Sequence, residues 1–582
     1  MRAIQLRVKL STKLKGVKGR NQVETSEKTT GALVIAALFS VCLSFSVGAA
    51  DDQSWDMLAA RPEVVQAWQD MRFGMFVCWG PVTLTGQEIG WSRGKARADQ
   101  REGGGGSTPV EVYDNLYKRW NPDKFDARAW VKVAQEAGAK YMIFLVKHHD
   151  GFCLYDTQLT DYKSTGPDAA WKHDAMKDIA DACHAADLKL IVYYSQPDWH
   201  HPDYRTANHA RYIQYFHGQI RELLTHYGQI DGLWFDLCGL PTDWDSEKLF
   251  QMARGLQPQL IFNNRVGLKG DYDTPEQQLG GFQLDRPWET CMTLGTQWSW
   301  KSDDQIKSFK ECIHALVTCA VRGGNLALNT NPMPDGQIEP RQVDRFREVG
   351  QWLAKYGESI YRTRGGPFRS MSWGGTTHRD NTLFVHVLNW RGASVTLPPC
   401  SKKIIHSSVL TGGTVKVKQS AGGTEISVPP ADRQEVDTII MLTFDGPASE
   451  LKPLSTPGIH DRTAKASTVW GSGFEADKVI DGDDSTRWGA ALGTRSGWIE
   501  IDLLKSKTIT HAVIDEGDWN RVREFQLQAL QDGDWKTVVT GTTLGPSKEL
   551  TFAPVKAQVF RLNILKAVDV PTIWEIELLE NN

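Results

Sequence analysis

The feature that most constrains this chain is a repeated alternation of short apolar runs and longer amphipathic segments between Arg72 and Ile360. The short runs are rich in β-branched and aromatic residues, as strands buried in a parallel sheet are. They span residues 72–79, 141–147, 189–195, 232–236, 259–265, 282–289 and 325–329. Apolar residues recur at helical spacing over residues 127–137, 175–186, 207–226, 245–256, 302–321 and 341–356. About eight such units in roughly three hundred residues predict a closed (β/α)8-like barrel rather than an open doubly wound sheet.

The character of the sequence changes after Gly365-Gly366-Pro367, where alternating strands and turns replace the helical segments. A linker containing Gly, Pro and Ser then leads into another all-β segment. A chain of 582 residues exceeds what one hydrophobic core usually supports. We therefore predict an α/β chain of the TIM-barrel class. It has a barrel domain over residues 51–365, a small β-sandwich over 366–447 and a C-terminal β-sandwich over 456–582.

Residues 1–50 have the three-part organisation of an export signal. A basic stretch reaches Lys28, an apolar run extends from Ala32 to Val47, and Gly48-Ala49-Ala50 follows. We expect the mature chain to begin near Asp51 and to be secreted or periplasmic. No later segment approaches the roughly 20 apolar residues of a spanning helix, so we predict no stable membrane span.

The composition excludes several classes of partner and cofactor. The formal net charge is -4, and Lys and Arg do not cluster beyond the first thirty residues, so no nucleic-acid partner is expected. The nine cysteines form no C-x-x-C pair and no His-flanked cluster, which argues against a zinc site and against a dense disulfide framework. The 22 tryptophans offer rings that stack on sugars, although we expect about two thirds of them to be core residues.

Candidate catalytic residues are those at the carboxyl ends of the predicted strands, where βα barrels place reacting groups. Four strands end in polar residues, namely Lys147-His148-His149-Asp150, Tyr193-Tyr194-Ser195, Trp234-Phe235-Asp236 and Asn263-Asn264-Arg265. Asp236 ends an apolar run, where a carboxylate is costly to bury unless a partner or a function holds it. If Arg265 and the His pair share the barrel mouth, they keep Asp236 ionised, as a nucleophile requires. The alternative for Asp236 is a structural salt bridge.

A second carboxylate must donate a proton to the leaving oxygen, and a less polar setting should raise its pKa. Glu276 and Glu289 are both candidates. Asp271, Asp273 and Asp285 are more ordinary loop acids, for which turn capping is the expected role.

The pair His148 and His149, taken alone, is more typical of core or loop histidines than of a binding site. In extended chain their rings would point to opposite sides, although this rule loosens at the end of a strand. The sequence His148-His149-Asp150 is also compatible with a metal, but no complementary ligands at metal spacing accompany it. We therefore predict no catalytic metal.

Six stretches, taken together and in order, resemble glycoside hydrolase family 29, the α-L-fucosidases, over about residues 55–361. They are Phe73-Gly74-Met75-Phe76-Val77-Cys78-Trp79-Gly80, Lys147-His148-His149-Asp150-Gly151-Phe152, Tyr193-Tyr194-Ser195, Leu233-Trp234-Phe235-Asp236, Asn264-Arg265 and Asp273-Thr274-Pro275-Glu276. The resemblance implies a retaining double displacement in which Asp236 attacks the anomeric carbon. It also implies that a glutamate beyond the N-x-R segment is the acid/base, which is Glu276 here, with Glu289 as the alternative.

The resemblance further implies which residues contact sugar hydroxyls. Those on matching motifs are His148, His149, Tyr193, Trp234 and Arg265. The family's Glu-Trp pair after the first strand corresponds less directly to Glu88 and Trp91, which are not adjacent in this chain. The carboxyls of a retaining pair should lie about 5 Å apart, whereas roughly 9 Å would favour inversion or Glu289 as the acid.

One residue departs from the family pattern. The family usually has H-W-G at the first strand, whereas this chain has Cys78-Trp79-Gly80. Cysteine is a poor hydrogen-bond donor. Three outcomes stay open: lower activity, a shifted linkage preference, or compensation by Glu88 and Trp91.

The C-terminal segment resembles a discoidin-like (coagulation factor 5/8 type C) module, many of which bind carbohydrate. The matching stretches are Lys478-Val479-Ile480-Asp481-Gly482-Asp483-Asp484-Ser485-Thr486-Arg487-Trp488, Trp498-Ile499-Glu500-Ile501-Asp502-Leu503 and Glu575-Ile576. Such modules often hold a structural calcium at the D-G-D loop, so Asp481 to Thr486 with Glu575 is a candidate calcium site. The alternative is a capped turn in a β-sandwich.

These observations predict a retaining exo-α-L-fucosidase that removes terminal α-L-fucose from glycans or glycoconjugates and needs no cofactor for catalysis. Two alternatives stay open. One is a barrel glycosidase that acts on another deoxy or galacto-configured sugar. The other is a glycan-binding protein whose barrel is degenerate, since Cys78 departs from the pattern and the C-terminal module can bind alone.

Overall fold

The computed structural model describes residues 58–95, 105–237, 239–368, 370–371, 373–390, 392–420, 423–451, 462–481, 486–545 and 548–580. The predicted export signal and the expected start of the mature chain near Asp51 lie outside these residues. Within the described residues, no helix is long and apolar enough to cross a membrane.

A curved parallel sheet of seven strands forms the first domain. In chain order the strands are Phe73–Val77 (β1), Tyr141–Lys147 (β2), Lys189–Ser195 (β3), Gly232–Asp236 (β4), Ile261–Phe262 (β5), Glu289–Thr293 (β6) and Asn325–Thr330 (β7). Their order in the sheet is β5-β4-β3-β2-β1-β7-β6. Nearly every strand residue is buried, because helices cover one face and the side chains of the other strands fill the interior.

The gap between β5 and β6 is closed by a short stretch of extended chain, residues 272–276, which we call the closing segment. It makes parallel bridges to both sides: Tyr272 pairs with Asn263 after β5, and Glu276 pairs with Cys291 of β6. Asp273 also pairs with Trp288. The predicted (β/α)8-like barrel is therefore confirmed, with the closing segment in the eighth position.

Two predicted strands were placed wrongly. The strand predicted over 282–289 begins only at Glu289, because Pro287, two residues before it, has no N–H to donate to a sheet. The strand predicted over 259–265 is reduced to Ile261–Phe262. There the Asn263 side chain replaces the backbone ladder, since its Oδ1 accepts from the Phe235 N–H at 2.9 Å and its Nδ2 donates to the Phe235 carbonyl at 2.8 Å.

Helices follow most of the barrel strands and cover the sheet. They are Pro62–Met71, Val110–Tyr113, Ala127–Glu136, Ala175–Ala185, His209–His226, Pro241–Trp244, Ser246–Leu256, Phe309–Val321 and Pro340–Tyr356, with short 3-10 turns at Pro81–Thr85, Leu116–Lys118 and Gly357–Ser359. The helix predicted from residue 302 begins only at Phe309, because Ser308 and Glu311 form a capping box that fixes its start. Residues 257–308, all of them described, contain no helix.

The second domain is a β-sandwich with its own apolar core. Its five-stranded sheet contains Arg364–Gly365, Gly374–Arg379, Thr382–Val387, Ile404–Val409 and Thr438–Phe444, and its three-stranded sheet contains Val395–Leu397, Lys416–Ser420 and Gly423–Ser427. Alternate residues such as Leu383 and Val385 are buried between the sheets. Short 3-10 turns lie at Pro430–Asp432 and Ala448–Glu450.

The C-terminal module is all-β, as predicted, and has a separate apolar core. Its six-stranded sheet contains Thr463–Ala466, Gly497–Asp515, Val522–Gln531, Asp534–Gly541, Lys548–Ala567 and Glu575–Glu580, and a two-stranded sheet pairs Trp488–Gly489 with Thr572–Ile573. Two 3-10 turns lie at Ala476–Val479 and Gly517–Trp519. Register shifts between Asp502 and Lys507 interrupt the longest pairing. The domain boundaries near residues 365, 447 and 456 stay predictions.

Gly74 of β1 leaves the room that the ring of Tyr141 occupies in the barrel interior. A Cβ at this position would lie 2.2 Å from a ring carbon of Tyr141. We expect Gly74→Ala to lower the free energy of unfolding by about 1–3 kcal/mol through overpacking. Gly255→Ala is the control, because that exposed helical glycine has open space around its Cβ position and alanine favours helix. Thermal unfolding of both variants measures the difference, and equal midpoints would contradict the packing argument.

Candidate active site

Asp236 is the last residue of β4, and its carboxylate receives four polar contacts. Oδ1 accepts hydrogen bonds from Arg265 Nη1 at 2.7 Å and from the Leu237 N–H at 2.8 Å. Oδ2 accepts from the Tyr193 hydroxyl at 2.6 Å, and His149 Nε2 lies 3.4 Å from it. The Leu237 N–H can turn back because Leu237 has a left-handed backbone with φ of 61°. The carboxylate is thus oriented by a group from β3 and by residues that follow β2, β4 and β5.

The charged form of Asp236 is favoured despite its burial. Burial alone would raise the pKa of this carboxyl, but the charges of His149 and Arg265 outweigh it and hold the pKa well below its usual range. Burial lowers the pKa of His149 to about 4, so the ring carries its charge only in acid. At neutral pH Arg265 is therefore the main cation beside Asp236, and the carboxylate is available as a nucleophile.

Arg265 joins the two candidate carboxylates. Its Nη1 donates both to Asp236 Oδ1 and to Glu276 Oε2, each at 2.7 Å. The rest of the guanidinium is held by Thr274 of the closing segment, through Nε to Oγ1 at 2.9 Å and Nη2 to the carbonyl at 3.0 Å. Because one nitrogen contacts both, these two carboxylate oxygens lie within about 5.5 Å, the spacing of a retaining pair.

Glu276 is more accessible than Asp236. It ends the closing segment, and its side chain is 25% exposed, compared with 15% for Asp236. A group that exchanges protons with a leaving oxygen and with water needs such access.

Glu289, the alternative acid, lies elsewhere. It is the first residue of β6, whereas Asp236 is the last of β4, and it is fully buried. Its Oε1 accepts from Trp234 Nε1 at 3.1 Å, and its Oε2 accepts from the Tyr141 hydroxyl. Burial raises the pKa of Glu289 to about 7. The structure gives it no direct contact with Asp236 or Arg265.

His148 and His149 lie close together, with ring centroids 4.0 Å apart, so the separation expected for extended chain does not occur. His149 Nδ1 lies 2.5 Å from Ser195 Oγ, and Ser195 Oγ donates to the Pro197 carbonyl at 3.0 Å. We therefore assign the proton of neutral His149 to Nδ1, which leaves Nε2 as an acceptor facing the site. Burial holds the pKa of His148 well below its ordinary value, so that ring is neutral too.

Tyr193 and Trp234 form an aromatic layer beside Asp236. Their rings stack with centroids 5.5 Å apart, and the Arg265 guanidinium lies 4.6 Å from the Trp234 ring centroid. Trp234 is only 2% exposed, so a sugar would reach little of its surface.

Glu88 and Trp91 reach the site although they are not adjacent in sequence. Glu88 Oε1 accepts from the Ile89 N–H and its Oε2 from the Trp298 N–H, both at 2.9 Å, and burial raises the pKa of Glu88 to about 7. The Trp91 ring contacts the His149 ring edge to face, with centroids 5.5 Å apart.

Cys78 is buried near the candidate catalytic groups. Its backbone N–H donates to Asn329 Oδ1 at 3.0 Å. Burial raises the pKa of the thiol well above its usual value, with Glu88 and Asp236 adding to the effect. The thiol therefore stays protonated and is a poor nucleophile.

Sequence reasoning missed Gln196 and Trp298. Gln196 Oε1 accepts from the Asp236 N–H at 2.9 Å, and its Nε2 donates to the Arg265 carbonyl at 2.7 Å, so it ties the two loops together. Its place directly after β3 was a usable signal. Trp298 donates its backbone N–H to Glu88. Because any residue except proline could make this contact, the sequence does not reveal it.

One group of potential metal ligands exists among the described residues, formed by His148, His149 and Asp236, whose ligand atoms lie within 4.8 Å of one another. Arg265 and Tyr193 already donate to both oxygens of Asp236. A cation there would face the guanidinium, so the prediction of no catalytic metal stands as a prediction.

Comparison with known proteins yields two family matches. The Alpha-L-fucosidase family matches residues 46–358, more than half of the chain, and the F5/8 type C domain matches residues 463–577. Human plasma alpha-L-fucosidase is 27% identical over 374 residues, which cover 58% of this chain and 79% of that protein.

The similar solved structures are also alpha-L-fucosidases. Alpha-L-fucosidase isoenzyme 1 from Paenibacillus thiaminolyticus is 33% identical with a TM-score of 0.59, over 66% of this chain and 99% of that one. A GH29 alpha-L-fucosidase from Bacteroides thetaiotaomicron, solved as a trapped covalent intermediate, is 25% identical with a TM-score of 0.59. The match covers 67% of this chain and 97% of that one.

The loop that carries Glu88 is held to the strand-end motif through Tyr113. The Tyr113 hydroxyl accepts from the Gly90 N–H at 2.8 Å and donates to Asp150 Oδ2 at 2.7 Å. A Cβ on Gly90 would lie 2.4 Å from His148 Nδ1, so the loop packs directly on that ring. The fixed position of Glu88 and Trp91 thus depends on this hydroxyl.

We expect Tyr113→Phe to raise KM for an aryl fucoside about tenfold, because it leaves a buried N–H and a carboxylate oxygen unpaired at a cost of about 1–3 kcal/mol. The change in kcat should be smaller, since Asp236 and Arg265 are untouched. Tyr117→Phe is the control, since that hydroxyl makes no hydrogen bond to a described residue. Steady-state kinetics of both variants test the assignment, and an unchanged KM in Tyr113→Phe would refute it.

Proposed function

Because this chain belongs to the alpha-L-fucosidase family, we propose that it is a retaining exo-α-L-fucosidase with Asp236 as nucleophile and Glu276 as acid/base. The observation that carries the residue assignment is the single Arg265 nitrogen hydrogen-bonded to both carboxylates. The proposed substrate is a terminal α-L-fucoside of a glycan or glycoconjugate. We propose that the enzyme is secreted or periplasmic and has no nucleic-acid partner.

In the first step Asp236 Oδ attacks the anomeric carbon and forms a covalent ester, while Glu276 gives its proton to the departing glycosidic oxygen. Arg265 and Tyr193 keep Asp236 ionised and oriented before the attack. His149 Nε2 can accept a hydrogen bond from a sugar hydroxyl, because the ring proton on Nδ1 is donated to Ser195 Oγ. The sugar is therefore bound and Asp236 is oriented before the covalent bond forms.

In the second step Glu276 takes a proton from water, and that water attacks the anomeric carbon and releases Asp236. The ester has removed the negative charge of Asp236, so Arg265 is left to stabilise the Glu276 carboxylate alone. Two inversions restore the original anomeric configuration. We propose that neither step uses a metal or organic cofactor.

Calcium in the C-terminal module is a separate proposal. Residues 482–485 of the candidate loop lie outside the described residues. At its ends Thr486 Oγ1 donates to both oxygens of Asp481, at 3.1 and 2.9 Å, which also suits a capped turn. The function of the barrel does not depend on the outcome.

Asp236→Gly should reduce turnover of an aryl α-L-fucoside by at least about 10⁴-fold, because no group replaces the attacking oxygen. Added azide should then attack the substrate directly and give the inverted β-L-fucosyl azide. Circular dichroism checks that the fold is intact. Unchanged turnover would defeat the assignment, and binding of fucose without any hydrolysis by the wild type would favour a degenerate, glycan-binding barrel.

Glu276→Ala should slow hydrolysis of a fucoside with a poor leaving group by about 10²- to 10⁴-fold, the usual contribution of a positioned acid. An activated aryl fucoside should be affected less, and azide should intercept the covalent intermediate to give α-L-fucosyl azide. The product configuration, read by NMR, separates this variant from Asp236→Gly. Formation of the β-azide by Glu276→Ala would exclude the acid/base role.

A further inference from the structure

We propose that Glu289 is a positioning residue that holds the indole of Trp234, and through it Arg265 and Tyr193, in the geometry that orients the nucleophile. The proposal deepens the proposed function and rests on Asp236 as nucleophile. It also gives Glu289 a role different from the acid/base role for which the sequence made it a candidate.

Glu289 is a fully buried carboxyl with two donors and no cation. Trp234 Nε1 donates to Oε1 at 3.1 Å, and the Tyr141 hydroxyl donates to Oε2. Within the described residues no Lys, Arg or His pairs with it. A buried carboxyl without a counter-ion is costly, and an apolar side chain of similar volume would remove that cost. A carboxyl at this position is explained if its hydrogen bonds are needed to fix the orientation of the Trp234 indole.

Trp234 connects Glu289 to the catalytic groups. The indole stacks on Tyr193, with planes 22° apart, and it lies under the Arg265 guanidinium at 4.6 Å. Phe76 meets the indole edge to face at 5.6 Å. Tyr193 and Arg265 are the two side chains that donate to opposite oxygens of Asp236. A rotation of the indole would therefore displace both donors together.

Among the described residues, Glu289 is the hydrogen-bond acceptor of the Trp234 indole N–H, and the other ring contacts of the indole are aromatic or cation–π. This hydrogen bond therefore resists rotation of the indole. The neighbours of Glu289 are also groups without charge at neutral pH. They are Tyr141 of β2, Tyr272 of the closing segment, Cys291 of β6 and Cys319 of the helix Phe309–Val321. A neutral acceptor can therefore replace the carboxyl without disturbing a charge network.

The test compares Glu289→Gln with Glu289→Met. Glutamine keeps an acceptor for Trp234 and can donate to the Tyr141 oxygen, so kcat should stay within about threefold of wild type. Methionine conserves volume but leaves the indole N–H unpaired, so kcat should fall about 10- to 100-fold while KM changes less. Thr290→Val is the control, because it removes two hydrogen bonds made by the next residue of the same strand, one accepted from the Gly280 N–H and one donated to the Gln278 carbonyl, and should change neither constant.

The pH profile separates positioning from a general loss of folded enzyme. Displaced donors would hold Asp236 ionised less well, so the acidic limb of kcat/KM should move to higher pH in Glu289→Met and stay in place in Glu289→Gln. The charged and titratable groups facing Asp236 are otherwise the same in both variants: His148, His149, Arg265, Tyr193, Glu276, Cys78 and Cys291. Trapping with 2-fluoro-fucosyl fluoride counts active sites, so that kcat refers to folded enzyme.

The proposal is overturned if Glu289→Met shows the wild-type acidic limb and wild-type kcat per active site. It is also overturned if Gln and Met lose activity equally and azide restores it, since that result makes Glu289 the acid/base. If Glu289→Met does not fold, Trp234→Phe removes the same hydrogen bond from the other side and should move the acidic limb in the same direction. Failure of the proposed function would appear separately, as turnover by Asp236→Gly.

Discussion

The geometry of the site depends on one nitrogen, Nη1 of Arg265, which donates to both Asp236 and Glu276. Two carboxylates this close would repel each other in a poorly solvated site, and each would favour protonation of the other. The guanidinium removes that repulsion and sets the separation that double displacement requires. Lysine could supply the charge but not the planar fork that Thr274 holds from the other side.

This arrangement requires an irregular barrel. A regular eighth strand would direct alternate side chains into and out of the interior, whereas the closing segment is joined to its neighbours only by isolated bridges. Within five residues it supplies Thr274, which fixes Arg265, and Glu276, which shares Arg265 with Asp236. The absence of a helix from residues 257–308, all described, accompanies this irregularity. Regular strand pairing is therefore absent in the closing segment, which carries Glu276.

Much of the barrel could be predicted, because buried strands and helices produce regular patterns of apolar residues in the sequence. The strands ending at Lys147, Ser195 and Asp236 were predicted to the residue, since each is a continuous apolar run that stops at polar groups. The strand at β6 was misplaced, because residues 282–288 have strand-like composition but include Pro287, which cannot donate to a sheet. The contact of Glu88 with Trp298 was not predictable, because it uses a backbone N–H that any residue could provide. Periodicity thus records burial, whereas loop contacts depend on tertiary geometry.

Asp236, Glu276 and Glu289 show how the environment of a carboxyl, rather than its residue type, suits it to a role. Asp236 is surrounded by the Arg265 guanidinium, two histidines and the Tyr193 hydroxyl, which hold its pKa well below the usual range despite burial. Glu276 shares its cation with a second acid and is the most exposed of the three side chains. Glu289 has donors but no cation, and burial raises its pKa to about 7. In the proposed mechanism, negative charge is thus stabilised on the residue that forms the ester, exposed on the residue that exchanges protons, and disfavoured on the residue that only orients Trp234.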